Sequence, residues 1–149
     1  MMDDQSNLDL RLFRVWMKST RAASKNIEKD IQSNNISIEN FITLELLYSK
    51  GPQTVQQISE RLSIPSGSIT YVINKLEKKG LVERKQHPED KRVFHVILTE
   101  QGKELFDEIF PKHVAMISRS FSFISDEEKK QLIDLLKRIG FGIQNMQEE

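Results

Sequence analysis

Apolar residues recur at steps of three and four positions over most of this chain, which is the spacing of an α-helix. The first such stretch covers residues 7–32, where no glycine or proline interrupts it. A second follows Ser37, whose hydroxyl suits an N-cap, and stops at residues 51–52, a Gly-Pro pair. Two more begin at residues 99–102 and after Ser125. The pattern therefore predicts a mainly α-helical protein.

Two shorter helices joined by a turn are expected in the middle of the chain. Thr54 and Gln57 match a capping box, in which a hydroxyl and an amide each satisfy an N–H group at the start of a helix. Pro65 cannot continue that helix, so the turn lies just before it. Ser66 or Ser68 is then expected to cap the second short helix. A helix, a turn and a second helix in this order are typical of the helix-turn-helix motif.

A β-hairpin is predicted directly after the second short helix. Gly80 is suited to end that helix in the left-handed conformation. Residues 81–85 and 93–98 then have strand character, and residues 87–92, His-Pro-Glu-Asp-Lys-Arg, form the tip between them. The predicted fold class is thus mainly α with a small β-hairpin wing.

The second short helix separates into an apolar and a polar face when its residues are spaced at 100°. The apolar face, expected to be buried, consists of Ile69, Val72, Ile73 and Leu76. The opposite face has no carboxylate and consists of Gly67, Tyr71, Asn74 and Lys78, flanked by Ser68, Thr70 and Lys75. Its hydroxyl, amide and ammonium groups can bond base edges or phosphates in a DNA major groove. Taken alone, an ordinary solvated helix surface explains this face equally well.

Charge is distributed unevenly, although the 22 basic and 22 acidic residues of the whole chain cancel. Residues 75–92 contain seven Lys or Arg against four acidic residues, a local excess of three positive charges. Duplex binding requires such a local cationic surface and does not require a high overall pI. The excess is weak evidence alone, because solvated surfaces often carry as much. We expect Asp90 to pair with Arg92 or Arg84 and to set the direction of that guanidinium.

Size and composition exclude several classes of protein. The 149 residues suit one domain, and 38% hydrophobic with 30% charged residues is typical of a globular chain. No apolar run is long enough to span a membrane and the N-terminus lacks signal-peptide features, so we expect a cytoplasmic protein with no membrane partner. The absence of cysteine excludes disulfides and thiolate metal sites.

An enzyme is not expected. His87, His95 and His113 are scattered along the chain, without metal-binding spacing and without a paired carboxylate cluster. The sequence also lacks a glycine-rich phosphate loop and a nucleophile elbow. It therefore predicts no catalytic residues, no metal and no cofactor.

Residues 41–105 resemble the MarR family of winged-helix transcriptional regulators. The matching segments are residues 44–47 (LELL), 54–62 (TVQQISERL), 69–84 (ITYVINKLEKKGLVER), 88–92 (PEDKR) and 98–102 (LTEQG). The Asp-x-Arg signature of the family's wing is present as Asp90-Lys91-Arg92. The flanking helices fit the family layout, so the resemblance extends over essentially the whole chain.

The resemblance implies a single winged helix-turn-helix domain over residues 1–149, with a DNA-binding lobe at 37–102 and dimerisation helices at 7–36 and 103–149. It implies a ligand-responsive repressor that acts as a homodimer on a pseudo-palindromic operator. The recognition helix would enter the major groove and the wing arginine the minor groove. The predicted DNA-binding residues are Thr54, Gln57, Ser66, Ser68, Thr70, Tyr71, Asn74, Lys75, Lys78, Arg84, Asp90, Lys91 and Arg92.

Both ends of the chain are more apolar than a solvated tail. The residues concerned are Leu8, Leu12 and Phe13 at one end and Leu132, Leu135, Leu136, Ile139, Phe141 and Ile143 at the other. In a monomer they would expose a large patch. Packing within the chain accounts for part of it, and two-fold association, as in the family, is the favoured explanation for the rest.

Many members of the family bind a small molecule between the dimerisation helices and the DNA-binding lobe. The corresponding effector-pocket candidates are Phe13, Trp16, Met17, Phe106, Phe110 and His113. For each of them, packing in the core is the more common role, by about two or three to one. The aromatic bias suggests a planar phenolic or quinone-like effector, and the resemblance extends to the quinone-responsive branch of the family. Without cysteine, such a ligand would have to act noncovalently.

A winged helix that contacts another protein and binds no DNA is the remaining alternative, because a fold does not fix a function. Salt-sensitive affinity for duplex DNA distinguishes the two, since only a duplex binder displaces counterions from phosphates.

Overall fold

A computed structural model describes residues 3–148 of the chain, with side chains as far as Met146. In order, its elements are α1 (Asp4–Gln32), α2 (Ile38–Lys50), α3 (Val55–Leu62), α4 (Ser66–Lys78), β1 (Val82–Gln86), β2 (Phe94–Leu98), α5 (Glu100–Ser120) and α6 (Asp126–Glu148). The predicted fold class, mainly helical with a small antiparallel hairpin, is confirmed. No helix in the described part of the chain is long and apolar enough to cross a membrane.

Side-chain caps begin most of these helices where the sequence predicts them. Ser37 caps α2, and Thr54 with Gln57 forms the capping box of α3. Ser125 and Glu128 form the same reciprocal pair at α6, with N to O distances of 2.9 and 3.1 Å. These caps satisfy N–H groups that would otherwise lack a partner in the first turn of each helix.

The predicted cap of α4 is wrong, and α1 begins earlier than predicted. Pro65 is the N-cap residue of α4, no side chain caps the helix, and Ser66 is already its first residue. The fixed φ of proline, −54° here, sets the chain for helix entry without a hydroxyl. Helix α1 starts at Asp4, three residues before the predicted start, because the Asp3 carboxylate accepts a 2.7 Å hydrogen bond from the Ser6 N–H.

By its internal contacts the chain forms two units, one up to Val114 and one from Ala115 onward. The buried core of the first unit draws on every element that this unit contains, and consists of Ile31, Phe41, Leu44, Leu46, Leu47, Ile58, Ile69, Val72, Ile73, Leu76, Leu81, Val82, Val96, Phe106 and Ile109. In the second unit, seven apolar side chains of α6 are more than two-fifths exposed within one chain, namely Leu132, Ile133, Leu135, Leu136, Phe141, Ile143 and Met146.

The end of α4 and the start of the hairpin are joined by a tight backbone arrangement. Gly80 has a φ of 76°, and its N–H donates to the Glu77 carbonyl at 3.0 Å. The Leu81 N–H donates to the Leu76 carbonyl, also at 3.0 Å. This pair of bonds is the Schellman motif, which ends a helix and turns the chain in a fixed direction. The direction in which β1 leaves α4 is therefore set by the backbone.

Strand β2 of the hairpin is hydrogen-bonded on both of its edges. Its register runs from the Val82–Leu98 pair to the Gln86–Phe94 pair. On the other edge of β2, Gln53 pairs with Val96 through two backbone bonds of 3.2 and 2.7 Å. Gln53, just before α3, thus forms an isolated β-bridge with the free edge of β2.

The start of α5 packs against the backbone that follows α4. The Thr99 hydroxyl donates to the Gly80 carbonyl at 2.6 Å and accepts from the Gly102 N–H at 3.1 Å. A Cβ at Gly102 would overlap the carbonyl oxygen of Leu81. Glycine at position 102 therefore permits the close approach that fixes α5 against the base of the hairpin.

Gly102→Ala is expected to lower the free energy of unfolding by about 1–3 kcal/mol, the usual cost of forcing a side chain into a filled site. Gly67→Ala is the matched control, because a Cβ there meets nothing within 4 Å. It should change stability by less than about 1 kcal/mol, as the helix propensity of alanine predicts. Urea unfolding followed by circular dichroism measures both, and equal effects would contradict the close contact.

Candidate nucleic-acid interface

Helix α4 has one buried face and one exposed face, as its sequence predicts. Ile69, Val72, Ile73 and Leu76 are buried. Glu77 is exposed at the side of the helix, and the other exposed residues, called the outer face below, are Ser66, Gly67, Ser68, Thr70, Tyr71, Asn74, Lys75 and Lys78. The same helix that completes the core thus presents hydroxyl, amide and ammonium groups to solvent.

Local contacts orient several side chains of the outer face. The Lys75 ammonium lies 5.3 Å from the centre of the Tyr71 ring, a cation–π distance. Tyr71 is nevertheless 65% exposed, so its ring and hydroxyl remain accessible. The Thr70 hydroxyl donates to the Ser66 carbonyl at 2.9 Å, which leaves the Thr70 oxygen as an acceptor.

Arg84 on β1 reaches back to α4. Its Nη1 donates to Glu77 Oε1 at 2.8 Å, and its Nη2 donates to Asn74 Oδ1 at 2.8 Å. The side chain of Arg84 is only 27% exposed. The guanidinium therefore ties the first strand of the wing to the outer face. Glu77 was not among the predicted site residues, and no sequence signal points to it, because its contact with Arg84 depends on the direction of the chain after Gly80.

The wing tip carries a guanidinium held by a neighbouring carboxylate. Asp90 accepts from the Arg92 backbone N–H at 3.0 Å, and from Arg92 Nε and Nη2 at 3.1 and 3.3 Å. The side-chain bond from Arg92, followed by the backbone bond, holds the pKa of Asp90 below its usual value. Of the two expected partners of Asp90, the structure selects Arg92. The Arg92 side chain is 90% exposed.

Backbone contacts shape the loop from which Arg92 projects. The His87 N–H donates to the Val93 carbonyl at 2.8 Å, and the Val93 N–H donates to the Asp90 carbonyl at 3.0 Å. Gln86 Nε2 donates to the Lys91 carbonyl at 3.2 Å. The tip is thus a closed loop, with the Lys91 side chain also exposed.

Thr54 and Gln57, both predicted to contact DNA, are engaged in capping α3. The Thr54 oxygen accepts from the Gln57 N–H at 3.1 Å, and Gln57 Oε1 accepts from the Thr54 N–H at 2.9 Å. Because these bonds use acceptor atoms, the two side chains can still offer donors to a ligand.

The six effector-pocket candidates fall into two groups. Phe106, Phe110 and His113 on α5 belong to an aromatic cluster with α2, in which the His113 ring lies 4.7 Å from Phe41 and the Phe110 ring 5.1 Å from Tyr48. Phe13, Trp16 and Met17 lie exposed on α1. Two surface cavities, of about 670 and 480 Å³, are lined by none of the six. The pocket therefore stays a prediction.

The chain is similar to known proteins in family, in sequence and in fold. The MarR family model matches residues 36–94. The transcriptional regulator YkoM of Bacillus subtilis is 42% identical over 92% of this chain and 89% of its own length. The regulator MhqR of the same bacterium is 41% identical over 89% of this chain and 92% of its own. The crystal structure of Sco3205, a Streptomyces coelicolor MarR-family regulator in complex with DNA, superposes with a TM-score of 0.82 at 20% identity and covers 96% of this chain and 94% of that one.

Arg92→Gln is expected to raise the pKa of Asp90 toward its ordinary value of 3.8. Glutamine keeps the backbone N–H bond and removes the positive charge that stabilises the carboxylate. In the wild type, the contribution of this ion pair to folding stability is fully present above pH 3.8. It is lost as pH falls through the lower pKa that Asp90 has in the folded protein. An NMR titration of the Asp90 carboxyl measures the change. Lys91→Gln is the control and should leave the pKa low, and an unmoved pKa in Arg92→Gln would contradict the pairing.

Proposed function

This chain belongs to the MarR family, and we propose that it is a sequence-specific DNA-binding transcriptional repressor that acts as a homodimer on a pseudo-palindromic operator. The observation that carries this proposal is the bond from Arg84 to Asn74, which joins the wing to the outer face of α4. The recognition helix and the wing then belong to one surface. A protein needs such a surface to contact two grooves of a duplex at once.

Electrostatic pairing supports this assignment. Two carboxylates near the surface are each engaged by an arginine, Glu77 by Arg84 and Asp90 by Arg92. Lys75, Lys78 and Lys91 are exposed as well. A surface that combines compensated acids with exposed cations attracts phosphates, even though the whole chain has no net charge.

The terminal helices support a dimer. In the first unit, Leu8, Leu12 and Phe13 of α1 are each more than half exposed within one chain. The apolar residues of α6 in the second unit are exposed as well. A stable soluble protein seldom leaves so many large apolar side chains in water. A two-fold dimer would cover them and would place two recognition helices about 34 Å apart, one turn of the duplex.

The aromatic cluster between α2 and α5 is the place that we propose for a planar aromatic effector. The Nδ1 atom of His113 is buried and has no hydrogen-bond partner among the described residues. In the tautomer that carries the proton on Nε2, Nδ1 is an acceptor, and a phenolic O–H could satisfy it. The ring of Phe41, which lies 4.7 Å from the His113 ring, could stack on such a ligand. Because the chain has no cysteine, the ligand would act noncovalently.

Lys78→Ala and Arg92→Ala are expected to weaken duplex binding and to reduce the slope of log affinity against log salt by about 1 each, because each removes one phosphate-neutralising cation. Fluorescence anisotropy between 50 and 200 mM salt would measure this, on a duplex selected from genomic fragments that the protein retains.

Lys112→Ala is the control for those two variants, since Lys112 is exposed on α5 outside the predicted DNA-binding lobe. It should leave both affinity and slope unchanged. If the wild-type protein has no salt-sensitive affinity for any duplex, the repressor assignment is wrong, and a protein-contact role replaces it.

Simple phenols or quinones are expected to release the protein from the selected duplex at sub-millimolar concentration. His113→Phe keeps an aromatic ring and removes the acceptor, so it should raise the effector concentration needed by about tenfold, the effect of one lost hydrogen bond of 1.4 kcal/mol. Its duplex affinity without effector should match that of the wild type. Indifference of the wild-type complex to every phenol and quinone tested would remove the effector proposal.

A further inference from the structure

The position of Arg84 has a consequence for how Asn74 can read a base. Nη2 of Arg84 lies 2.8 Å from one polar atom of the Asn74 carboxamide, which the structure assigns as Oδ1. A guanidinium has five N–H donors and no acceptor. If the carboxamide were turned over, its NH₂ group would face those donors and the contact would be repulsive. The chemistry of Arg84 therefore fixes which end of Asn74 faces it.

The opposite end of the carboxamide is then fixed as well. With Oδ1 toward Arg84, the two N–H donors of Asn74 lie on the side away from the guanidinium. Asn74 is exposed on the outer face of α4. A ligand approaching that face therefore meets a hydrogen-bond donor.

Glu77 supports this arrangement from the other side of the guanidinium. Its Oε1 accepts from Arg84 Nη1 at 2.8 Å, so Arg84 spans two residues of α4 that are three positions apart. A planar guanidinium held at two of its nitrogens has little freedom to rotate. Because the Glu77 side chain is 43% exposed, this ion pair contributes little to stability. Its larger consequence is the orientation that it imposes on Asn74.

We propose that Arg84 is a positioning residue for sequence readout: it holds the Asn74 carboxamide with its NH₂ group outward, so that Asn74 selects a base that presents an acceptor in the major groove. The proposal rests on the DNA-binding function proposed above. Guanine, adenine and thymine each offer a major-groove acceptor, whereas cytosine offers only its N4 donor. The operator position read by Asn74 should therefore exclude cytosine on the contacted strand.

The test begins by locating the operator position that Asn74 reads. Selection of bound duplexes from a randomised pool, with the wild type and with Asn74→Ala in parallel, identifies the base pair at which the preference depends on Asn74. Four duplexes that differ only at this base pair are then titrated with the wild type and with each variant by fluorescence anisotropy. The readout is the ratio of affinities between the preferred base and cytosine, which a purely structural role of Arg84 would not change.

The wild type is expected to prefer the acceptor base over cytosine by about tenfold or more, the usual effect of one good base contact. Arg84→Gln should reduce this ratio to less than about threefold, because the carboxamide is then able to turn over. Arg84→Lys keeps the charge but replaces Nη1 and Nη2 with a single ammonium nitrogen. It should therefore retain much of the affinity, while the ratio of affinities between the preferred base and cytosine falls. Asn74→Asp presents only acceptors and should shift the preference toward cytosine.

Lys85→Gln is the matched control, since it removes one positive charge from the same strand and Lys85 pairs with Glu83, away from Asn74. It should lower the affinity for all four duplexes equally. Glu77→Gln should reduce the ratio less than Arg84→Gln does, and it serves as the informative variant if the Arg84 variants melt at lower temperature than the wild type.

Two results would overturn the proposal while leaving the DNA-binding function intact. One is an unchanged ratio in Arg84→Gln, Arg84→Lys and Glu77→Gln. The other is that Asn74→Ala lowers affinity for every selected sequence alike. A wild type that binds no duplex would instead overturn the proposed function itself.

Discussion

The junction between α4 and the hairpin is the constraint on which the candidate interface depends. Gly80 takes a left-handed conformation, its carbonyl accepts from the Thr99 hydroxyl, and Gly102 lets α5 approach the Leu81 carbonyl. Each of these contacts is made by backbone or by a short side chain, so few side-chain rotamers have to be fixed to form it. The recognition helix, the wing and the start of α5 are consequently fixed to one another without any contribution from charged side chains.

The charged groups of this surface divide into two kinds. Arg84 and Arg92 are each held by a carboxylate, Glu77 and Asp90 respectively, and this fixes the plane of the guanidinium. Lys78 and Lys91 are exposed on flexible side chains. A fixed plane favours directional contacts, whereas a mobile ammonium favours nonspecific attraction to phosphates. The acidic residues that seem unfavourable beside DNA are therefore what gives the arginines their direction.

Most of the fold was predictable from the sequence because its signals are local. The faces of α4 follow from helical spacing, and the caps at Ser37, Thr54 and Ser125 follow from residue type within four positions. The cap of α4 was mispredicted because the fixed φ of Pro65 begins the helix without a side-chain bond. The start of α1 was placed too late, since the apolar pattern begins after the capping Asp3.

The geometry around Arg84 was not predictable in the same way, for a physical reason. Which carboxylate an arginine selects depends on the direction in which β1 leaves Gly80 and on two long side-chain rotamers, neither of which sequence spacing determines. The sequence left two arginines open for Asp90, and the backbone N–H of Arg92, two residues away, decides between them. Glu77, once engaged by Arg84, no longer acts as an unpaired acid beside the outer face. On the readout proposed for Asn74, the selectivity of this surface would reside in contacts between side chains that the turn at Gly80 brings together, and Arg84 would affect base readout without itself touching a base.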